Sequence, residues 1–317
     1  MRVSLARTYL PFMHIHSTRC TPIVFLLTLF SFGSGYAQIS SVFNTARPKS
    51  MSQRWELDTL TSAGTFVITP YKPIYVLPLR WTSAPNGKPH SGNSSPDYIP
   101  ADNLDFNKIE AKFQISFKVK IFQGLFWGHG DLWTAYTQKS HWQLYNTSLS
   151  RPFREINYEP EVILNFATNF DILGLKSKML GIGFNHQSNG RETPYSRSWN
   201  RIIVQAGFET GDWQFYVRPW YRIPDEIDDN PDIQKFLGHG DLTAIYYKGR
   251  NTVTLQGSSN LSFNRHLKGY AEASWSYQIS GNLKGYLQIT NGYGETMIDY
   301  NNRQTTFGLG ISLLEWL

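Results

Sequence analysis

"AKFQISFKVKIF", residues 111 to 122, sets Phe113, Ile115, Phe117, Val119 and Ile121 at alternate positions, with Lys112, Gln114, Ser116, Lys118 and Lys120 between them. A period of two belongs to a β-strand, whose successive side chains leave opposite faces; a helix repeats every 3.6 residues. One face of this strand is apolar and the other polar. The same alternation returns in Trp213, Phe215 and Val217 against Gln214, Tyr216 and Arg218, and in Ala271, Ala273, Trp275, Tyr277 and Ile279 against Glu272, Ser274, Ser276 and Gln278. It returns again in Leu283, Leu287 and Ile289 against Lys284, Gln288 and Thr290.

Short turns such as "ETGDW" (209 to 213) and "ISGNL" (279 to 283) join neighbouring strands, as antiparallel hairpins require. The chain ends in "FGLGISLLEWL", where Phe307, Leu309, Ile311 and Leu313 alternate with Gly308, Gly310 and Ser312. A strand at the very C-terminus suits a closed barrel, because an open sheet edge has no hydrogen-bond partner in lipid. Charged residues make up only 17% of the chain and aromatics 15%, yet beyond the N-terminal region no stretch approaches the roughly 18 consecutive apolar residues of a spanning helix. These features predict an all-β fold, an antiparallel transmembrane β-barrel of about 12 strands over residues 66–317. A soluble β-sandwich also alternates, so a single strand does not separate the two; the number of strands and the aromatic load favour the barrel.

The first 37 residues carry Arg2, Arg7 and Arg19, no acid, the apolar run "PIVFLLTLF" and a small-residue exit ending at Ala37. They read as a secretory signal peptide, with Met13 an alternative start. Residues 38–65 read as an irregular N-terminal segment, and the Pro/Asn/Ser-rich stretch 83 to 103 as a long loop. The single cysteine, Cys20, precedes the apolar run, so the mature chain is expected to have no disulfide and no thiol chemistry. The leader holds three of the 30 basic residues, against 24 acids in the whole chain. The remaining charge is close to balanced and does not argue for nucleic acid as a partner.

The stretch "GIGFNHQSNGRETPYSRSWNR" (181 to 201) carries the chemistry. Leu180, Ile182 and Phe184 share one parity with His186 and Ser188, so the histidine and serine are expected on the lipid-facing wall. In the next strand Asn200 shares parity with Ile202, Val204, Ala206 and Phe208, with Ile203 the one discordant residue. Same-face residues on paired strands have Cβ atoms about 5 Å apart, so serine, histidine and asparagine can meet at the membrane rim. A serine hydroxyl becomes a nucleophile when an imidazole takes its proton, and a third group that accepts the other ring N–H fixes the tautomer. Asparagine accepts through its side-chain oxygen without setting a charge at the edge of hydrocarbon. A neutral third member stabilises the imidazolium less than an aspartate, so further electrostatic help should lie nearby. The bland alternative is a turn, "SNG", preceded by a polar residue at the interface.

The segment "NHQSNGR...SRSWNR" resembles the active-site segment of the outer membrane phospholipase A family. So do "YTQKSHWQLYN" (136 to 146), "PFREINYEPE" (152 to 161), "DDNPDI" (228 to 233) and "NGYGETMIDYN" (291 to 301), in order from about residue 110 to the C-terminus. The resemblance implies a calcium-dependent outer membrane phospholipase of A1/A2 and lysophospholipase type, active as a homodimer on membrane phospholipids. It implies Ser188 as nucleophile, His186 as base, Asn200 as orienting group and Gly190 as backbone donor to the oxyanion. It also implies Ca2+ held by backbone oxygens at Arg191 and Ser196 and by the hydroxyl of Ser150 from the partner subunit. Where relatives often carry an acid before the loop proline, this chain has Thr193, with Glu192 one place earlier, which puts a second calcium site near Asp228 in doubt. Gln138 matches a polar residue of the subunit interface; the alternative is a lumen-facing side chain.

Other candidates are weaker. "DEIDDNPDI" (225 to 233) lacks the alternating acids and central glycine of an EF-hand and reads as an acidic turn at the barrel end. His129, His141, His239 and His266 are scattered, without ligand spacing. Two rival readings stay open: a non-enzymatic barrel, porin or structural, and a soluble secreted lipase.

Overall fold

The computed structural model describes residues 49–58, 60–262 and 266–314. The expected leader, 1–37, and the first part of the 38–65 segment lie outside these residues. The strands are β1 (Ile68–Pro70), β2 (Ile74–Thr82), β3 (Ile109–Phe122), β4 (Asp131–Trp142), β5 (Phe153–Ile172), β6 (Leu175–Ser188) and β7 (Ser198–Thr210). They continue as β8 (Trp213–Ile223), β9 (Gly240–Lys248), β10 (Asn251–Ser259), β11 (Gly269–Ser280), β12 (Leu283–Gly292) and β13 (Gln304–Leu314). Among the described residues two short α-helices, α1 (Met51–Trp55) and α2 (Gln234–Leu237), and a 3-10 turn (Pro96–Tyr98) accompany them.

Every strand from β2 to β13 pairs antiparallel with its neighbours, β3 pairs with both β2 and β4, and β13 returns to β2. The sheet closes on itself as a barrel of twelve staves. β1 is the lower part of the first stave, split from β2 at Tyr71–Pro73, and both pieces pair with β3. Closure removes the open edge that lipid could not satisfy.

The faces are inverted relative to a soluble protein. On β3, Lys112 and Lys120 are 0% exposed and Lys118 is 1%, while Ile115 is 46% exposed. Phe307, Leu309, Ile311 and Leu313 likewise face out, over buried Ser312. A sandwich would bury that apolar face. Each large apolar side chain left in water forfeits about 1.5–3 kcal/mol, so a wall of them is stable only against hydrocarbon.

Buried cations need partners, and the lumen supplies them. Glu110 accepts from Arg80 Nη1 (2.6 Å), Arg154 Nε (2.9 Å), His141 Nδ1 (2.9 Å) and Gln143 Nε2 (2.9 Å). Lys112 reaches Glu295 at 2.9 Å, and Arg154 reaches Asp299 at 2.6 Å. Near mid-height, Lys72 bridges Glu159 (2.8 Å) and Glu161 (3.1 Å), and Arg218 meets Glu161 at 2.9 Å. These networks cross the interior, and a polar cavity of about 110 Å³ lined by Lys72, Gln114, Lys139, Glu159 and Glu272 remains beside them.

Five connections are tight or hairpin turns at one end: 123–130, 173–174, 211–212, 249–250 and 281–282. The N-terminal segment folds into that end. Ser50 caps α1 with a reciprocal capping box, and Met51 and Trp55 pack among Tyr71, Trp133, Met179 and Tyr216. Lys118 Nζ sits 4.8 Å from the Trp55 ring and donates to Arg54 O at 2.6 Å. Part of the stretch read as irregular is thus a helical turn inside the barrel. The long loops 83–108, 143–152, 189–197, 224–239 and 293–303 gather at the opposite end. There Trp199, Ile203, Trp220, Ile233, Phe236, Met297 and Tyr300 form a second apolar cluster. Ile203, discordant by composition, points inward with its parity and finds apolar neighbours.

Candidate active site

On β6, Leu180, Ile182 and Phe184 are exposed, while Ser177, Met179, Gly181 and Asn185 are buried. His186 and Ser188 continue the outward series and are half-buried at the long-loop end. β7 runs antiparallel beside it with Phe184 opposite Ile202, His186 opposite Asn200 and Ser188 opposite Ser198. His186 Nδ1 lies 2.8 Å from Asn200 Oδ1. An amide oxygen only accepts, so Nδ1 is the donor; in a neutral ring Nε2 then holds the lone pair that a general base requires. Ser188 stands two residues on, about 6.6 Å along the strand on the same face.

The β6–β7 loop is clamped by its first residue. Asn189 N donates to Arg197 O (3.0 Å), Asn189 Oδ1 accepts from Arg197 N (3.0 Å), and Asn189 Nδ2 donates to Tyr195 O (2.8 Å). Gly190 follows at φ +62°, where a Cβ would meet the Tyr158 ring at 3.0 Å; only glycine takes this left-handed position without strain. Arg191 folds back onto β5, with Nε 3.4 Å from Glu155 and Nη2 3.2 Å from Phe153 O. Arg197 is fully buried, and its Nη1 donates to Pro194 O (3.0 Å) and Ser196 O (2.6 Å). Ser150 is exposed in the β4–β5 loop at φ +58°.

The β8–β9 loop, expected as an acidic turn with a family-like segment at 228 to 233, brings side chains against the β6–β7 loop and the start of β7. Asp229 accepts from Ser196 Oγ (2.6 Å), Ser198 Oγ (3.3 Å) and Tyr98 OH (2.6 Å), and Asn230 Oδ1 accepts from Ser198 N (2.9 Å). The bond to Asp229, with burial second, pushes the Tyr98 phenol up to about 12. Asp225 Oδ1 accepts from Asn200 Nδ2 at 3.2 Å. Nothing in the spacing of 225–233 signals which acid faces which loop.

Asp228 is occupied otherwise: both its carboxylate oxygens lie 2.7 Å from Arg222 Nη2. Among the described residues no three His, Cys, Asp or Glu side chains cluster as a metal site. Gln138 lies on the outer wall, between Tyr136 (OH to Oε1, 2.9 Å) and Ser140 (Nε2 to Oγ, 3.1 Å). His141 is buried against Glu110 rather than at the rim.

Comparison with known proteins bears on this site. A solved outer membrane phospholipase A from Escherichia coli is 38% identical, covers 80% of this chain and all of its own, and superposes with a TM-score of 0.71. An E. coli active-site mutant in which asparagine is replaced by alanine gives 0.73 at 35% identity, over 84% of this chain and 100% of its own. A Salmonella typhi outer membrane phospholipase dimer with bound calcium gives 0.72 at 37% identity, over 81% of this chain and 96% of its own. Among curated relatives, a phospholipase A1 of Klebsiella pneumoniae is 40% identical over 248 residues, 78% of this chain and 82% of the relative. A sequence profile of the family described as phospholipase A1 matches residues 51–313. The chain belongs to the phospholipase A1 family.

Proposed function

We propose that this protein is a serine hydrolase of the outer membrane that cleaves acyl esters of phospholipids, with A1, A2 and lysophospholipase activity, through Ser188, His186 and Asn200. The observation that supports this reading most is the 2.8 Å bond between His186 Nδ1 and Asn200 Oδ1, made on the outward face two residues from Ser188. Ser188 Oγ attacks the ester carbonyl as His186 Nε2 takes its proton. The backbone N–H of Gly190 donates to the developing oxyanion. His186 then returns the proton to the departing lysophospholipid alkoxide, and water, deprotonated by the same nitrogen, releases the fatty acid. A site on the outer wall receives substrate by lateral diffusion in the bilayer.

The backbone oxygens of Arg191 and Ser196, with the hydroxyl of Ser150 of the partner subunit, would hold calcium. The donor set is neutral oxygen throughout, which suits this cation. Ser196 O already accepts from Arg197 Nη1, which leaves its second lone pair for a metal. Calcium takes 6–8 oxygen ligands, more than the three named here, so water would complete the shell, and the serine from the partner subunit would tie binding to association. Bound there, it would add positive charge beside the oxyanion. The ion pairs that cross the lumen tell against a porin.

The test is Ser188→Ala assayed on micellar phospholipid with calcium and with chelator. The native protein should be active only with calcium and the variant in neither condition. Hydrolysis by the variant at the native rate would refute the assignment, and full activity of a demonstrated monomer in chelator would refute the calcium-linked dimer.

A further inference from the structure

A Ser–His–Asn relay has a weakness: its third member is neutral and can turn over. Rotating the Asn200 amide by half a turn exchanges its oxygen and nitrogen with little change of shape. The flipped amide presents N–H to His186 Nδ1, which must then accept. The ring proton moves to Nε2, the atom that has to take the proton of Ser188. Something must therefore forbid the flip.

We propose that Asp225 is a positioning residue that fixes the Asn200 amide and, through it, the tautomer of His186; the proposal rests on the catalytic reading above. The amide is held at both ends, Oδ1 at 2.8 Å from His186 Nδ1 and Nδ2 at 3.2 Å from Asp225 Oδ1. Asp225 lies two residues past the end of β8, whose terminal Ile223 pairs with Asn200. An ionised carboxylate is an acceptor only, so a flipped amide would set oxygen against oxygen. The carboxylate thus permits one orientation, and a bond to a charged acceptor is stronger than one between neutral groups. The same bond polarises the amide, so that its oxygen bears more negative charge as His186 becomes an imidazolium. The charge missing from the third member is supplied one residue further out, in a loop beyond the wall, where it need not be buried in hydrocarbon.

The test is a double-mutant cycle on full-length protein, with calcium and a micellar phospholipid, reading kcat and KM separately and checking each variant by circular dichroism and thermal unfolding. Asp225→Ala should lower kcat about tenfold with KM within about twofold, the signature of a group acting on the chemical step. Asp225→Leu, similar in size but without an acceptor, should match it. Asp225→Asn, which can accept the amide N–H but can also turn over and donate to a flipped amide, should recover kcat only in part, to a value between Asp225→Ala and native. In an Asn200→Ala background, Asp225→Ala should change nothing further, because its effect passes through the missing amide. Native kcat in both Asp225→Ala and Asp225→Leu would overturn the proposal. So would an equal loss in the Asn200→Ala background, or no recovery in Asp225→Asn. Failure of the catalytic reading shows differently, as native activity that survives Ser188→Ala.

Discussion

Replacing Asn200 by aspartate would give the proposed relay the acid that most serine hydrolases carry, and chemical analogy alone would expect a faster enzyme. The structure predicts the reverse. Asn200 Nδ2 donates to Asp225 at 3.2 Å, so in Asn200→Asp a second carboxylate oxygen takes the place of that donor. Two unit charges held at this separation repel by roughly 5 kcal/mol at an effective dielectric of about 20. Both groups are only half-buried, and Asp225 can swing toward solvent, which relieves most of the repulsion but gives up the bond. A residual cost of about 2 kcal/mol on the active geometry corresponds to a roughly 30-fold lower kcat. Exchanging the pair, Asn200→Asp with Asp225→Asn, restores one donor facing one acceptor and should return kcat to within about threefold of native. Fatty-acid release from micellar phospholipid at neutral pH, with calcium and with folding checked by circular dichroism, measures all three proteins. A single Asn200→Asp variant at or above the native rate, or a double variant no better than the single one, would refute the reasoning.

Two other substitutions probe separate parts of the molecule. Trp55 is 3% exposed and meets Tyr71 and Trp133 edge-on at 5.8 Å each, so Trp55→Ala should cost about 3–5 kcal/mol in urea unfolding from detergent; an unchanged midpoint would mean that the N-terminal turn does not stabilise the barrel. Gly190→Ala forces a Cβ into a left-handed position 3.0 Å from the Tyr158 ring, at a cost of about 1 kcal/mol or more. It should lower kcat with the far-ultraviolet spectrum unchanged, and native kcat would dissociate this backbone N–H from the reaction.

The alternation on β3 was readable because strand periodicity is local: it depends on one residue and its two neighbours. The structure resolves the one ambiguity it left, between sandwich and barrel, by which face is covered; Lys112, Lys118 and Lys120 are buried and Ile115 is not. The split of the first stave at Tyr71–Pro73 was not readable, since it follows from how β1 and β2 share β3. The helical turn at Met51–Trp55 was missed because five residues are too few to show a helical period, and its two large apolar residues are explained only by the lumen they enter.

At the site, parity alone put His186, Ser188 and Asn200 on the outer face, because each strand position alternates strictly from its neighbours. Parity does not choose among Ser198, Asn200 and Ile202 as the residue opposite His186. That is a matter of register, which depends on closing nine loop residues through the Asn189 clamp and on pairing along the full length of β6 and β7. Asp225 and Asp229 were beyond reach for the same reason carried further. They lie 25 residues from Asn200 and 33 from Ser196 along the chain, and only the folding of the β8–β9 loop over the rim brings their carboxylates to those partners. The sequence by itself thus determined which way each side chain leaves the wall, while which groups meet was decided by the closed barrel, whose long-range pairing no local pattern encodes.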